Sequence, residues 1–100
     1  MSQPVVRAAV ALGYEVGTPA PKVLAQVRGE VAEALLERAK ELGIPTKTEP
    51  ELVAFLLELR PNDWVPSELF AAVAQVLAWA YDVDGRLAEK RAAVIKPEDS

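Results

Sequence analysis

Residues 8–27 read AAVALGYEVGTPAPKVLAQV, and the fold turns on how they are interpreted. Ala8, Ala9, Val10, Ala11 and Leu12 are consecutive and apolar. A strand that does not alternate has both faces covered, so a buried strand is expected from Ala8 to Tyr14. Glu15–Pro21 (EVGTPAP) carries a glycine and two prolines and cannot be helical. Lys22–Val27 (KVLAQV) then reads as a second strand. Parallel strands need a crossover of about a dozen residues or more, which this connection is too short to supply; the pair is therefore antiparallel.

After Gly29 comes an amphipathic helix. Val31, Leu35, Ala39 and Leu42 recur at helical spacing and form its expected buried stripe, with Glu33, Glu37, Lys40 and Glu41 on other faces. Leu42-Gly43-Ile44-Pro45 ends it: the glycine turns left-handed, Ile44 packs back, and the proline forbids continuation. Ile44–Lys47 is expected as a short third strand, parallel to Lys22–Val27 because strand, helix and strand imply a right-handed crossover. Thr48-Glu49-Pro50-Glu51 has the form of a capping box, with Leu52, Phe55, Leu56 and Leu59 as the buried face of the helix it opens. Arg60–Val65 is a tight loop, and Pro66 opens a third helix. Leu69, Val73, Val76, Leu77 and Ala80 form its core stripe, and Asp82–Arg86 ends it. The tail, 87–100, contains AEKRAA with a thin apolar face, and reads equally as helix or as disorder. The expected architecture is one α/β domain over 1–86, a small mixed sheet of three to four strands packed with three main helices, followed by that charged tail.

Composition narrows the chemistry. At 100 residues and 51% hydrophobic, the chain is of single-domain size and apolar enough for a packed core. It has no cysteine and no histidine, which excludes thiol nucleophiles, disulfides and zinc–thiolate sites and removes the commonest general base. Without a glycine-rich phosphate loop, an enzyme would rest on carboxylates alone, and no spacing brings two into one pocket. Asp82-Val83-Asp84-Gly85 resembles the middle of a calcium loop, but the register would put Ala80 first and Arg91 twelfth, so it reads as a helix stop. Glu33, Glu37 and Glu41 form a ridge of the kind that keeps a helix soluble. Catalytic residues, metal and cofactors are therefore all expected to be absent. The net charge of −4 with no basic run argues against nucleic acid. No run approaches the roughly 20 apolar residues that cross a bilayer, and the start does not read as a signal peptide. Trp64 and Trp79 are both expected to fold over the edge of the core.

The blocks AVALGY, APKVLAQ, LGIPTKTEPEL and DWVPSELFAAVAQVLAWAY, in this order, resemble the cytoplasmic C-terminal domain of FlhB and its YscU/EscU relatives, the switch proteins of flagellar and virulence type III secretion. The resemblance runs from about Ala9 to Tyr81, and its most specific part is Val65-Pro66 through AAVAQVLAWAY. Members of that family cut themselves at Asn-Pro-Thr-His just before the AVAL strand. The asparagine amide attacks its own carbonyl carbon, closes a succinimide and releases the proline amine. The corresponding slots here hold Pro4, Val5, Val6 and Arg7. Proline has no side-chain nucleophile, and the sole asparagine, Asn62, precedes Asp63 in another loop. The resemblance therefore implies a soluble, stand-alone homologue of the already-cut fragment, unable to cut itself. Gln26-Val27 replaces a family Lys-Gly, and Ala54 a family arginine; the fold does not depend on either.

The same resemblance implies a protein-binding patch at Ala20, Pro21, Ala74 and Leu77. For Ala74 and Leu77, three-residue spacing fits a core stripe equally well. Ala20 and Pro21 fall in a loop whose rigid, donor-poor surface suits an extended apolar peptide. The implied role is a non-enzymatic accessory of the flagellar type III export apparatus, acting like the cleaved FlhB fragment in substrate binding or export switching. Its partners would be export substrates or apparatus components, and its place the cytoplasm or the periphery of the membrane export gate, without membrane insertion. The other reading is a diverged protein-binding module or regulator of the same fold, with no secretion role.

Overall fold

The strand β1 (Ala8–Glu15) organises the molecule because its first part, residues 8–12, is covered on both faces. The computed structural model describes residues 7–15, 17–84 and 90–97. Ala8, Val10 and Leu12 point into the larger core, while Ala9 and Ala11 belong to a smaller cluster on the other face. β2 (Lys22–Arg28) pairs antiparallel with β1, as expected. The register shifts between Ala11, opposite Ala25, and Leu12, opposite Val23, which leaves Leu24 as the extra residue of a bulge.

α1 (Glu30–Leu42) covers the smaller cluster, but with a different stripe from the expected one. Ala32 and Ala39 are buried and Leu35 and Leu36 flank them, whereas Val31 and Leu42 are exposed. The sheet beneath is itself built of small residues, so the helix approaches on its alanines and its larger end residues overhang the sheet. The C-terminal turn forms as read: Gly43 is left-handed (φ 74), and the Gly43 and Ile44 amides donate to Lys40 and Ala39 carbonyls.

β3 (Thr46–Thr48) is parallel to β4 (Lys90–Lys96), and the sheet order is β2-β1-β4-β3. β3 thus runs in the same direction as β2, but two strands lie between them. The expected capping box is also corrected. Thr48 ends β3, and Glu49 is the N-cap of α2 (Pro50–Leu56), with no side-chain capping bond. In α2, Leu52, Val53 and Leu56 are buried and Phe55 is exposed. A single 3-10 turn, Ser67–Leu69, leads into α3 (Phe70–Asp84). Its Val73, Val76, Leu77 and Ala80 are buried as expected, in one core with α2 and β1.

The largest correction concerns the tail. Residues 90–96 are neither helical nor disordered; they form β4, which sits between β1 and β3 in the sheet. Ile95 lies opposite Val10, and Ala93 and Ile95 enter the larger core while Val94 enters the smaller one. A strand covered on both faces takes apolar residues consecutively, and Ala92-Ala93-Val94-Ile95 is such a run. The result is a four-stranded mixed sheet with α2 and α3 on one face and α1 on the other.

Candidate protein-binding site

Beyond the C-terminal end of β1 the chain closes a cleft of about 290 Å³ between the β1–β2 loop and α3. The loop is shaped locally. Gly17 is left-handed (φ 94), and the Thr18 amide and hydroxyl both donate to the Glu15 carbonyl, at 3.1 and 2.6 Å. Pro19 and Pro21 restrict the backbone on either side of Ala20 and present no N–H of their own. Pro21 is held in place by its carbonyl, which accepts the Val65 amide at 2.8 Å. Opposite this wall, Phe70, Ala74 and Leu77 follow one another at four- and three-residue spacing along one face of α3.

The cleft therefore gathers all four of Ala20, Pro21, Ala74 and Leu77. Their exposure divides them. Leu77 is 3% exposed and belongs to the core, so it is the floor of the cleft; Ala74 is exposed and forms its rim. Ala20 and Pro21 are not the open loop surface expected of them, since both are buried where they face α3. Tyr14, Pro19 and Phe70 complete the cleft and were not singled out from sequence. Phe70 was legible: it precedes Ala74 by one helical turn on the same face. Apart from the Tyr14 hydroxyl, the side chains named here are apolar. A cleft at the small end of the range for ligand pockets, about 300 Å³ upwards, suits one or two apolar side chains of a partner.

The remaining candidates stand as follows. Trp64 is 45% exposed rather than folded over the core, and the Lys22 ammonium sits 4.4 Å from its ring centroid. Trp79 does pack against the edge of the larger core, with Lys47 Nζ at 5.2 Å. In the degenerate cleavage slot, Arg7 is exposed and pairs with Glu33 at 3.1 Å, while Pro4, Val5 and Val6 lie outside the described residues. Glu41 pairs with Arg38 at 3.1 Å, so two carboxylates of the α1 ridge already have local partners. Asp82–Asp84 form the last turn of α3, with Gly85 outside the described residues. Among the described residues, no group of His, Cys, Asp or Glu is arranged to hold a metal, and no polar or charged residue is buried.

The family model described as the FlhB HrpN YscU SpaS family matches residues 5–80. The chain belongs to this family. Among solved members, an EscU/SpaS C-terminal domain carrying a point substitution superposes with a TM-score of 0.72 at 26% identity, covering 75% of this chain and 95% of that one. The PscU C-terminal domain superposes with a TM-score of 0.68 at 31% identity, over 72% of this chain and 94% of its own. YlqH of Bacillus subtilis (strain 168) is 33% identical over 87 residues, 86% of this chain and 94% of YlqH. The flagellar biosynthetic protein FlhB of Yersinia enterocolitica is 43% identical over 77 residues. That match takes in 75% of this chain but only 20% of FlhB. The chain thus corresponds to the C-terminal domain of the FlhB family, and the expected fold class is the observed one, with the fourth strand supplied by residues 90–96. Among the described residues, no helix is long and apolar enough to cross a membrane.

Proposed function

We propose that this FlhB-family chain is a non-enzymatic, cytoplasmic accessory of the type III export apparatus. It acts like the cleaved FlhB fragment, holding an apolar segment of an export substrate or of an apparatus component and so influencing substrate binding or export switching. One observation carries this reading: Ala20, Pro21, Ala74 and Leu77, which lie far apart in sequence, converge on a single apolar cleft. Burial of one partner side chain there contributes about 1.5–3 kcal/mol, enough for a weak, reversible contact and well short of a permanent complex.

The test is capture of purified hook-type export substrates and cytoplasmic export components, comparing the unmodified chain with Ala74→Asp. Ala74 is exposed, so the variant folds; its carboxylate, desolvated by an apolar partner, weakens capture at least about tenfold. Capture of the same partners at the same strength by the variant would overturn the assignment of this cleft.

A further inference from the structure

The apolar cleft uses only one side of the wall formed by Tyr14 and Ala20. On the other side the same two residues border a second cleft, of about 310 Å³. Its floor is bare sheet, Gly13, Leu24 and Ala92, because α1 packs farther along that face, on Ala9 and Val94. Lys22 and Trp64 stand at its rim.

This lysine is held in place. Trp64 bridges antiparallel to Lys22, and the Val23 amide donates to the Asp63 carbonyl at 2.9 Å. The ammonium lies 4.4 Å from the indole centroid, within cation–π range. Yet among the described residues no carboxylate pairs with it; the ion pairs are Arg7–Glu33, Arg38–Glu41 and Lys47–Glu49. The nearby Asp63 carboxylate accepts the Arg60 amide, and Glu15, which also borders the cleft, has an interaction of its own. Tyr14, common to both clefts, makes no hydrogen bond among the described residues. Among the described residues no buried side-chain polar atom lacks a partner, and Tyr14 itself is only partly buried.

We propose that the second cleft receives an acidic side chain of the same segment whose apolar residue fills the first, with the Tyr14 hydroxyl as a polar contact between them. This rests on the proposed function and adds the chemistry of the partner: an apolar residue and, within a few residues of it, an aspartate or glutamate. The chain as a whole carries −4, so an acidic segment gains only from a local cation such as Lys22. A pre-positioned ammonium on an aromatic face loses little side-chain freedom when it pairs. A lysine on an edge strand also guards against edge-to-edge pairing, but that role makes no partner residue depend on it.

A phage-displayed library of random 12-residue peptides, selected on the immobilised chain, tests both layers. The unmodified chain is expected to enrich apolar residues together with Asp or Glu, the acidic enrichment being about two- to fivefold, the scale of a partly exposed ion pair. Lys22→Gln keeps the apolar enrichment and loses the acidic one, and Lys22→Glu turns it to Lys or Arg. Ala74→Asp loses the apolar enrichment. Apolar enrichment with no acidic preference, or an acidic preference that survives Lys22→Gln, overturns the second cleft and leaves the first standing. No apolar enrichment by the unmodified chain overturns the proposed function, and this inference with it.

Discussion

Replacing Ile95 by alanine tests whether residues 90–96 hold the domain together. Ile95 is fully buried, opposite Val10, in the core shared by α2, α3 and β1. The substitution removes three carbons, worth about 0.8 kcal/mol each, or about 2.4 kcal/mol of transfer free energy. A cavity adds to this, because α2 and α3 clamp that face and the site cannot fully collapse; the expected loss is about 3–4 kcal/mol. For a domain of this size that lowers the melting temperature by roughly 15 °C or more. Urea unfolding followed by far-ultraviolet circular dichroism measures it, with tryptophan fluorescence, to which Trp79 at the edge of the same core contributes, as a second probe. Val94→Ala, facing the smaller core, removes two carbons and should cost about 2 kcal/mol. Were 90–96 a solvated tail, both substitutions would fall within about 0.5 kcal/mol of neutral. A loss below about 1 kcal/mol for Ile95→Ala would refute the placement of β4.

Other expectations follow from the same geometry. Gly43→Ala forces a Cβ into the left-handed turn (φ 74) after α1 and should cost about 1–2 kcal/mol in the same unfolding assay; a neutral result would mean the turn is not built this way. Leu77→Asp puts a carboxylate into the core and should cost more than about 3 kcal/mol, whereas Ala74→Asp, on the rim, should change stability by less than about 0.5 kcal/mol. Equal effects would place both residues on the same side of the core boundary. Because Pro4 cannot close a succinimide, the purified chain should keep its intact mass through prolonged incubation. A fragment produced by cleavage between Pro4 and Ala8 in mass spectrometry would show that another chemistry operates there.

Local patterns were readable where one element decides its own structure, and unreadable where a distant element decides. The consecutive apolar residues of β1, the Gly43 turn and the stripe of α3 needed no partner to be recognised. α1 misled because hydrophobicity ranks Val31 and Leu42 above Ala32, while the small-residue sheet rewards the alanines that let the helix come close. Phe55 misled in the same way: α2 has only seven residues, and Val53 fills the inward position. The strand β4 was hidden by its flanks, since Glu, Lys, Arg and Ala favour a helix locally. Its pairing with β1 joins residues at opposite ends of the chain, such as Val10 and Ile95, which no window on the sequence sees. The usable signal was the pair of β-branched residues Val94 and Ile95 ending an apolar run of four just before Lys96-Pro97. For the site, helical spacing alone could not separate Ala74 from Leu77; the depth of the loop wall against α3 does.

That depth also bears on how the cleft selects. Its floor, Leu77, is part of the core and its loop wall is pinned through the Pro21 carbonyl, so the surface is formed before any partner arrives. A preformed site spends little on ordering itself, which favours weak partners that must also be released. Pro19 and Pro21 leave that stretch of wall without their two N–H donors, so a partner cannot pair along it as an added strand and gains chiefly by burying side chains. Apolar burial discriminates poorly between similar segments, one methylene being worth only about 1 kcal/mol. Under the proposed function this is a fitting property, because an accessory of an export apparatus must accept many sequences. Selectivity then has to come from outside the apolar cleft, and the positioned Lys22 on the far side of the Tyr14–Ala20 wall is the charged group among the described residues best placed to supply it.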